Sequence, residues 1–143
     1  MEVVDDGRMV RAWIELPGDP RGAIRLFTDP GLVRKWWGGE LEAQLEPGGV
    51  YVVRFESQGW TLRGQVLSYD PESELTFTWA WDHHPDDSRR EVKVTAEPAG
   101  PDATRLDIEH GPHGDSDSEL EEAVAHREGW EYFLPRMADC LSR

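Results

Sequence analysis

Cysteine is almost absent from this 143-residue sequence, in which Cys140 stands alone. One cysteine cannot form a disulfide within the chain, and a chain of this length can bury about 68–70% of its unfolded surface without a crosslink. No His or Asn follows Cys140 to activate its thiol, so we expect a packing or surface role for it. We therefore expect a single domain, residues 1–143, stabilised by an ordinary hydrophobic core.

Basic residues and long apolar runs are also scarce. The 29 acidic residues outnumber the 15 basic ones, and the net charge of −14 argues against nucleic acid as a partner. No apolar run approaches the ~18–20 residues needed to cross a bilayer. The N-terminal stretch lacks the charged and apolar regions of a signal peptide. We therefore expect a cytoplasmic protein with no membrane partner.

Familiar catalytic and cofactor motifs are missing as well. The sequence has no phosphate-binding glycine-rich loop, no G-x-S-x-G turn and no H-E-x-x-H pair, so we predict no cofactor. The segment Asp82–Asp87 contains metal-ligating residue types, but their spacing does not close a four-ligand shell. We predict no metal and a solvated hairpin tip there, with metal binding by this loop as the alternative.

What the sequence does contain is tryptophan, seven in all. Each of these large side chains needs a core, a pocket or an interface to cover it. Their surroundings predict where they lie. The alternation from Met9 to Leu16 predicts a first strand, and Asp19-Pro20 and Asp29-Pro30 each predict the start of a short helix, with an acidic cap before a proline. Gly38-Gly39 predicts the end of the second helix.

Beyond the second helix the apolar period changes from 3.6 to 2, which predicts a run of strands. These strands are Leu41–Leu45, Val50–Ser57, Trp60–Tyr69, Leu75–Trp81, Arg89–Glu97 and Thr104–His110. Short connections make successive strands antiparallel neighbours. In the strand Leu75–Trp81 the apolar residues fall on one face and the threonines on the other. A sheet that is covered on one face only has this pattern.

The segment Ser118–Leu141 predicts the cover, a long amphipathic helix. Ser118 and Glu121 are typical of a capping box at its start. One face of the helix carries apolar residues at helical spacing: Leu120, Val124, Trp130, Phe133, Leu134, Met137 and Leu141. Pro135 falls inside the helix, where it removes one backbone hydrogen bond, so we expect a kink or a local opening there.

Several short segments, taken in order, resemble one family. They are Leu26–Pro30, Trp36–Gly39, Pro47–Gly49, Leu75–Trp81, Thr104–His110 and His126–Trp130. Together they resemble the single-domain bacterial proteins related to the activator of Hsp90 ATPase, the AHSA1-like branch of the SRPBCC superfamily. The resemblance implies an α+β helix-grip (START-like) fold: a curved antiparallel sheet of about six or seven strands around a long C-terminal helix, with two short helices after the first strand and an interior cavity.

The resemblance implies three functions, in this order. The first, which we favour over an enzyme, is a binding protein that holds an apolar or aromatic small molecule between sheet and helix. The second is a cyclase or isomerase that uses His110 as an acid–base group, assisted by Arg54 or Glu56. The third is a stress-related or chaperone-linked protein that contacts an Hsp90-type ATPase. Exposed aromatic residues also leave a homodimer open.

The residues that we predict to bind the ligand are mostly aromatic, as the linings of small-molecule pockets are. They are Trp36, Arg54, Trp60, Trp79, Trp81, His110 and Trp130. For the tryptophans the alternative is that they simply fill the core. Of Trp36 and Trp37, we expect one ring to face inward and the other to face the pocket mouth or a partner. For His110 the alternative is a hydrogen-bonded histidine at the end of the sheet. For Arg54 it is plain surface.

Overall fold

The computed structural model describes residues 1–6, 8–83 and 90–141. Within them lie three helices, α1 (Pro20–Thr28), α2 (Pro30–Trp36) and α3 (Asp117–Leu141). The strands are β1 (Glu2–Asp5), β2 (Val10–Pro17), β3 (Glu40–Ala43), β4 (Val50–Phe55), β5 (Trp60–Asp70), β6 (Glu74–Trp81), β7 (Arg90–Gly100) and β8 (Ala103–Gly111).

All of these strands join one antiparallel sheet in the order β1-β2-β8-β7-β6-β5-β4-β3. Strands that follow each other in sequence pair with each other, except that β2 pairs with β8 and not with β3. The strands β2 and β8 therefore lie side by side, between β1 and β7. The predicted α+β helix-grip fold is confirmed, with eight strands instead of six or seven.

The additional strand is β1. It pairs with β2 from Glu2↔Trp13 to Asp5↔Val10. Only four residues long, it alternates exposed and half-buried side chains, and Val3 packs against the core. A strand this short at the edge of a sheet carries too little apolar periodicity to be recognised in sequence.

The two short helices begin where the sequence predicts, and the second ends before Gly38 as predicted. The side chain of Asp19 accepts a hydrogen bond from the Gly22 amide at 2.9 Å, and that of Asp29 accepts one from Gly31 at 2.8 Å. Gly38 follows α2 with φ = 85°, and its amide donates to Arg34 O at 3.1 Å. The left-handed backbone at this glycine turns the chain from α2 into β3.

Helix α3 differs from its prediction at the N-terminal end. Ser116, not Ser118, caps the helix, since its Oγ accepts the Glu119 amide at 3.2 Å. Leu120 and Val124 are 42% and 38% exposed, so the prediction that they extend the buried stripe is wrong. Ala123 is buried there instead, and Trp130, Leu134 and Met137 continue the buried face as predicted.

Pro135 lies inside α3, and the helix is continuous through it from Asp117 to Leu141. The kink stays a prediction. The helix packs against β1, β2 and α2, while α1 packs against β7 and β8, so all three helices cover the same apolar face of the sheet. Among the described helices, none has the length and apolar character needed to span a membrane.

Candidate functional site: an aromatic pocket above three histidines

A pocket of about 380 Å³ opens between the sheet and α3, within the size range of small-molecule sites. Strands β4 to β6 supply one wall and α3 supplies the other. Most of the lining is aromatic, and the residues are Trp37, Phe55, Gln58, Trp60, Trp79, Trp81, His83, His110, Glu122, Ala125, His126, Gly129, Trp130 and Phe133.

The spacing of the residues explains why these side chains meet. Trp79 and Trp81 are two apart on β6 and therefore share a sheet face. On α3, His126, Trp130 and Phe133 are four and three apart and therefore share a helix face. Gly129 lies on the same wall, and a Cβ atom added there would meet no atom within 4 Å. The glycine thus leaves open the space that a larger residue on α3 would fill.

The tryptophan rings form a layer that continues from the core into the pocket. Trp36 stacks on Trp37 with ring centroids 4.7 Å apart, and Trp37 stacks on Trp79 at 5.7 Å. Trp60 packs edge-on against Trp81 at 5.8 Å and is 47% exposed, which places it at the mouth. The layer is deepest at Trp36, which is fully buried.

Five of the seven residues predicted to bind the ligand line this pocket: Trp60, Trp79, Trp81, His110 and Trp130. Trp36 does not, because it lies one ring behind the wall and donates its indole N–H to Leu26 O at 2.6 Å. Trp37 takes the lining position that we assigned to Trp36. The ligand-binding role of the five stays a prediction.

Arg54 lies away from the pocket. Its guanidinium pairs with Glu42 at 2.9 Å and its side chain is 47% exposed, so the alternative of a plain surface residue describes it. Glu56 is exposed as well. The sequence could not place Arg54 because Tyr51, Val52 and Val53 are all buried, which breaks the alternation of faces along β4.

Sequence reasoning missed His126 and Gly129 as pocket residues. The signal was present, since His126 lies four residues before Trp130 and Gly129 lies four before Phe133 on the predicted helix. No local signal marked Phe55 or Gln58, which approach the pocket through the hairpin between β4 and β5.

Three histidines lie together at one side of the pocket. His110 on β8 and His126 on α3 line it, and His113, just after β8, lies behind them against His126. One ring nitrogen from each lies within 4.8 Å of the others. The His110 and His126 rings stack with centroids 4.1 Å apart. Trp130 donates its indole N–H to His110 Nδ1 at 3.1 Å, and His113 Nε2 lies 2.9 Å from His126 Nδ1.

All three histidines are neutral at pH 7. Burial is the main cause, and it lowers the pKa of His126 to about 3 and that of His110 well below its usual 6.5. The pKa of His113 is lowered in the same direction, again chiefly by burial. The neighbouring Arg90 lowers each pKa further. Arg90 itself is 2% exposed and pairs with Glu119 at 2.7 Å and Glu122 at 2.6 Å.

Three neutral imidazoles this close are a donor set that suits zinc. The hydrogen bonds oppose such a site. An indole N–H can only donate, so His110 Nδ1 accepts, and the proton of this neutral ring is on Nε2. Neither nitrogen of His110 then has a lone pair free for a metal, because Nδ1 accepts from Trp130 and Nε2 carries the proton. A metal could bind His110 only if the hydrogen bond with Trp130 broke. Of the loop Asp82–Asp87, the residues from His84 onward lie outside the described part of the chain.

The same assignment bears on chemistry. A general base needs a free lone pair, and His110 has none in this arrangement. It can donate a hydrogen bond from Nε2 but cannot take a proton. Of the hypothesis that His110 is an acid–base group assisted by Arg54 or Glu56, the role of base does not fit this geometry, and neither Arg54 nor Glu56 lines the pocket.

Comparison with solved structures places the fold among related bacterial proteins. Protein MLL2253 from Mesorhizobium loti is 24% identical, with a TM-score of 0.81 over 95% of this chain and 98% of that one. DynU16, from the dynemicin biosynthetic locus, is 25% identical with a TM-score of 0.73 over 92% of this chain but 46% of its own. The Aha1 dimer from Colwellia psychrerythraea is 19% identical, with a TM-score of 0.76 over 93% and 95% of the two chains.

No curated protein matches the chain by sequence. A family model does, and it covers most of the chain, from residue 24 to residue 142. The matched region runs from α1 through strands β3 to β8 to the end of α3, so it contains every described residue of the pocket lining. The chain therefore belongs to the family described as activator of Hsp90 ATPase homolog 1-like protein.

Proposed function

We propose that this protein binds an apolar or aromatic small molecule in the pocket between the sheet and α3. The observation that carries the proposal is a wall of tryptophan rings facing a glycine, Gly129, whose missing side chain leaves the space unfilled. Well-packed interiors rarely leave such space beside large aromatic rings. A flat aromatic ligand that stacks against Trp79 and Trp81 would restore close packing.

The family and the fold neighbours support a small-molecule role without naming a ligand. The chain is an SRPBCC-type domain by family, and DynU16, one of the proteins it resembles, comes from a biosynthetic locus. Burying an aromatic ligand of two fused rings contributes roughly 25 cal/mol for each Å² of apolar surface covered.

Filling the pocket from α3 tests this proposal. Gly129→Leu places a side chain in the open space and also removes a helical glycine, which costs a helix about 1 kcal/mol relative to alanine. We expect naphthalene, measured by equilibrium dialysis, to bind the native protein and to bind Gly129→Leu at least tenfold more weakly. Thermal stability should be kept.

The matched control is Gly22→Ala in α1, which removes a helical glycine far from the pocket and meets only Asp19 at 3.4 Å. It should leave naphthalene binding unchanged. Equal binding to the native protein and to Gly129→Leu would place the ligand elsewhere, and no binding to the native protein would refute the proposal.

A cyclase or isomerase that uses the same pocket is the second candidate function. The observation that favours it is His126, a neutral histidine in the pocket lining, in place of His110.

The remaining expectations stay predictions: a single domain, a cytoplasmic location, a homodimer and contact with an Hsp90-type ATPase. The Colwellia psychrerythraea relative is described as a dimer, which supports the third of these by likeness alone.

A further inference from the structure

The hydrogen bonds of the three histidines determine where each ring proton lies. His113 Nδ1 is 3.1 Å from the backbone carbonyl of Arg8, which can only accept, so this nitrogen carries the proton of His113. His113 Nε2 therefore has a lone pair. It accepts from His126 Nδ1 at 2.9 Å, so the proton of His126 is on Nδ1. His126 Nε2 is left with a lone pair and no hydrogen-bond partner within the described residues.

His110 has the opposite arrangement. Its Nδ1 accepts from Trp130, which places its proton on Nε2, and this N–H has no partner among the described residues. The indole N–H of Trp79 is buried and also lacks a partner there. The Trp79 ring lies 4.4 Å from His110 and 5.4 Å from His126, centroid to centroid. Two unused donors and one unused acceptor thus lie in adjacent rings of the pocket lining.

We propose that the ligand carries a hydroxyl group on its aromatic ring, and that this hydroxyl binds between Trp79, His110 and His126. A hydroxyl has two lone pairs and one proton. It can accept from Trp79 Nε1 and His110 Nε2 while it donates to His126 Nε2, which satisfies all three groups at once. A carbonyl or an ether oxygen accepts but cannot donate, and leaves His126 unsatisfied.

This inference rests on the proposed function, because it names the chemical class of ligand for the same pocket. Its energetic basis is the penalty for burying the unpaired N–H groups of Trp79 and His110, which a matching ligand removes and a plain hydrocarbon does not. Sites built to hydrogen-bond a hydroxyl discriminate strongly against analogues that lack it.

Three probes of one shape separate the two ideas: naphthalene, 2-naphthol and 2-methoxynaphthalene. We expect 2-naphthol to bind at least tenfold more tightly than naphthalene, and 2-methoxynaphthalene to show no comparable gain, because it has no proton for His126. In His126→Phe the ratio of the 2-naphthol affinity to the naphthalene affinity should fall to a few-fold at most, whatever the substitution does to naphthalene binding itself. Equilibrium dialysis in metal-free buffer measures all of these affinities.

The outcomes distinguish the inference from the proposed function. If naphthalene binds and 2-naphthol binds no better, the hydroxyl site is refuted and the apolar pocket stands. If no probe binds, both are refuted. A zinc complex that needs all three histidines would also refute the hydroxyl site, because it requires the other tautomer of His110.

A measurement on the native protein needs no variant to fold. Long-range ¹H–¹⁵N spectra of the histidine rings report which nitrogen carries the proton. We expect the Nε2–H form for His110 and the Nδ1–H form for His113 and His126. A lone pair on His110 Nε2, or a proton on His126 Nε2, would overturn the inference.

Discussion

The aromatic layer of this protein has two halves that differ in how their polar atoms are satisfied. In the core half, Trp36 donates to Leu26 O and Tyr51 donates to Phe27 O, each at 2.6 Å. In the pocket half, the N–H groups of Trp79 and His110 have no partner within residues 1–6, 8–83 and 90–141. Aromatic side chains with polar atoms therefore have all of these hydrogen bonds made in the core half, whereas in the pocket half two of their N–H groups are left without an acceptor among the described residues.

The difference comes from what faces each half. Leu26 and Phe27 lie in the last turn of α1, where backbone carbonyls have no amide partner within the helix. Trp36 and Tyr51 supply the missing donors. The carbonyls at the end of α1 and the polar atoms of these two aromatic residues therefore satisfy each other's hydrogen bonds. The pocket half faces the middle of α3, whose carbonyls are already used by the helix. Its free donors therefore have no partner among the residues that the structure describes.

The largest effect that this comparison predicts is on stability. Trp36→Ala leaves a large void in the core and strips Leu26 O of its donor, so we expect the free energy of unfolding to fall by about 3–5 kcal/mol. Trp60→Ala removes a ring that is 47% exposed at the pocket mouth and should change it by less than about 1 kcal/mol. Urea denaturation measures both. Equal losses would refute the distinction between a closed half and an open half.

The second prediction concerns pH, because titratable histidines lie only in the pocket half of the described aromatic layer. The pKa of His126 is lowered to about 3 in the folded protein, against about 6.5 when unfolded. The unfolded chain therefore binds more protons between these values, and stability present at pH 7 is lost as the pH falls below about 6.5.

His126 alone should account for a loss of roughly 2 kcal/mol between pH 7 and pH 5. The lowered pKa of His110 acts in the same direction. Urea denaturation at both pH values measures the loss, which His126→Phe should reduce. A free energy of unfolding that is unchanged between pH 7 and pH 5 would contradict the buried, neutral assignment of the cluster.

The smallest effect is expected outside both halves. Arg54→Ala breaks an exposed ion pair with Glu42, and such pairs contribute about 0–1 kcal/mol. Stability should change within that range, and naphthalene binding should not change at all. A tenfold loss of affinity on this substitution would show that Arg54 takes part in binding, and that the ligand site extends toward β3.

The sequence predicts the fold well because the fold follows from periodicity. The alternation along β6, the capped starts of α1 and α2, and the long apolar stripe of α3 are all local patterns. Strand β1 is not predicted from the sequence, because four residues are too few to show a period. The cap of α3 is displaced because Ser116 and Ser118 both precede a glutamate by three residues, and sequence alone does not choose between them.

The site is predicted only where it follows the same local patterns. Trp79 and Trp81 alternate on one strand, and His110 continues the buried face of β8. The meeting of His110 with His113 and His126 depends on how the chain turns after β8 and enters α3, which no periodicity describes. The tautomers depend in turn on single long-range contacts, such as that from Arg8 to His113.

One measurement compares the two halves directly: a titration of the protein with 2-naphthol, followed through the indole N–H signals of its tryptophans in ¹H–¹⁵N spectra. We expect the signals of Trp79 and Trp130 to move with saturation, and that of Trp36 to stay in place, since its N–H is already bonded to Leu26 O. Movement of Trp36 with no change at Trp79, or no movement of any indole signal, would contradict the account.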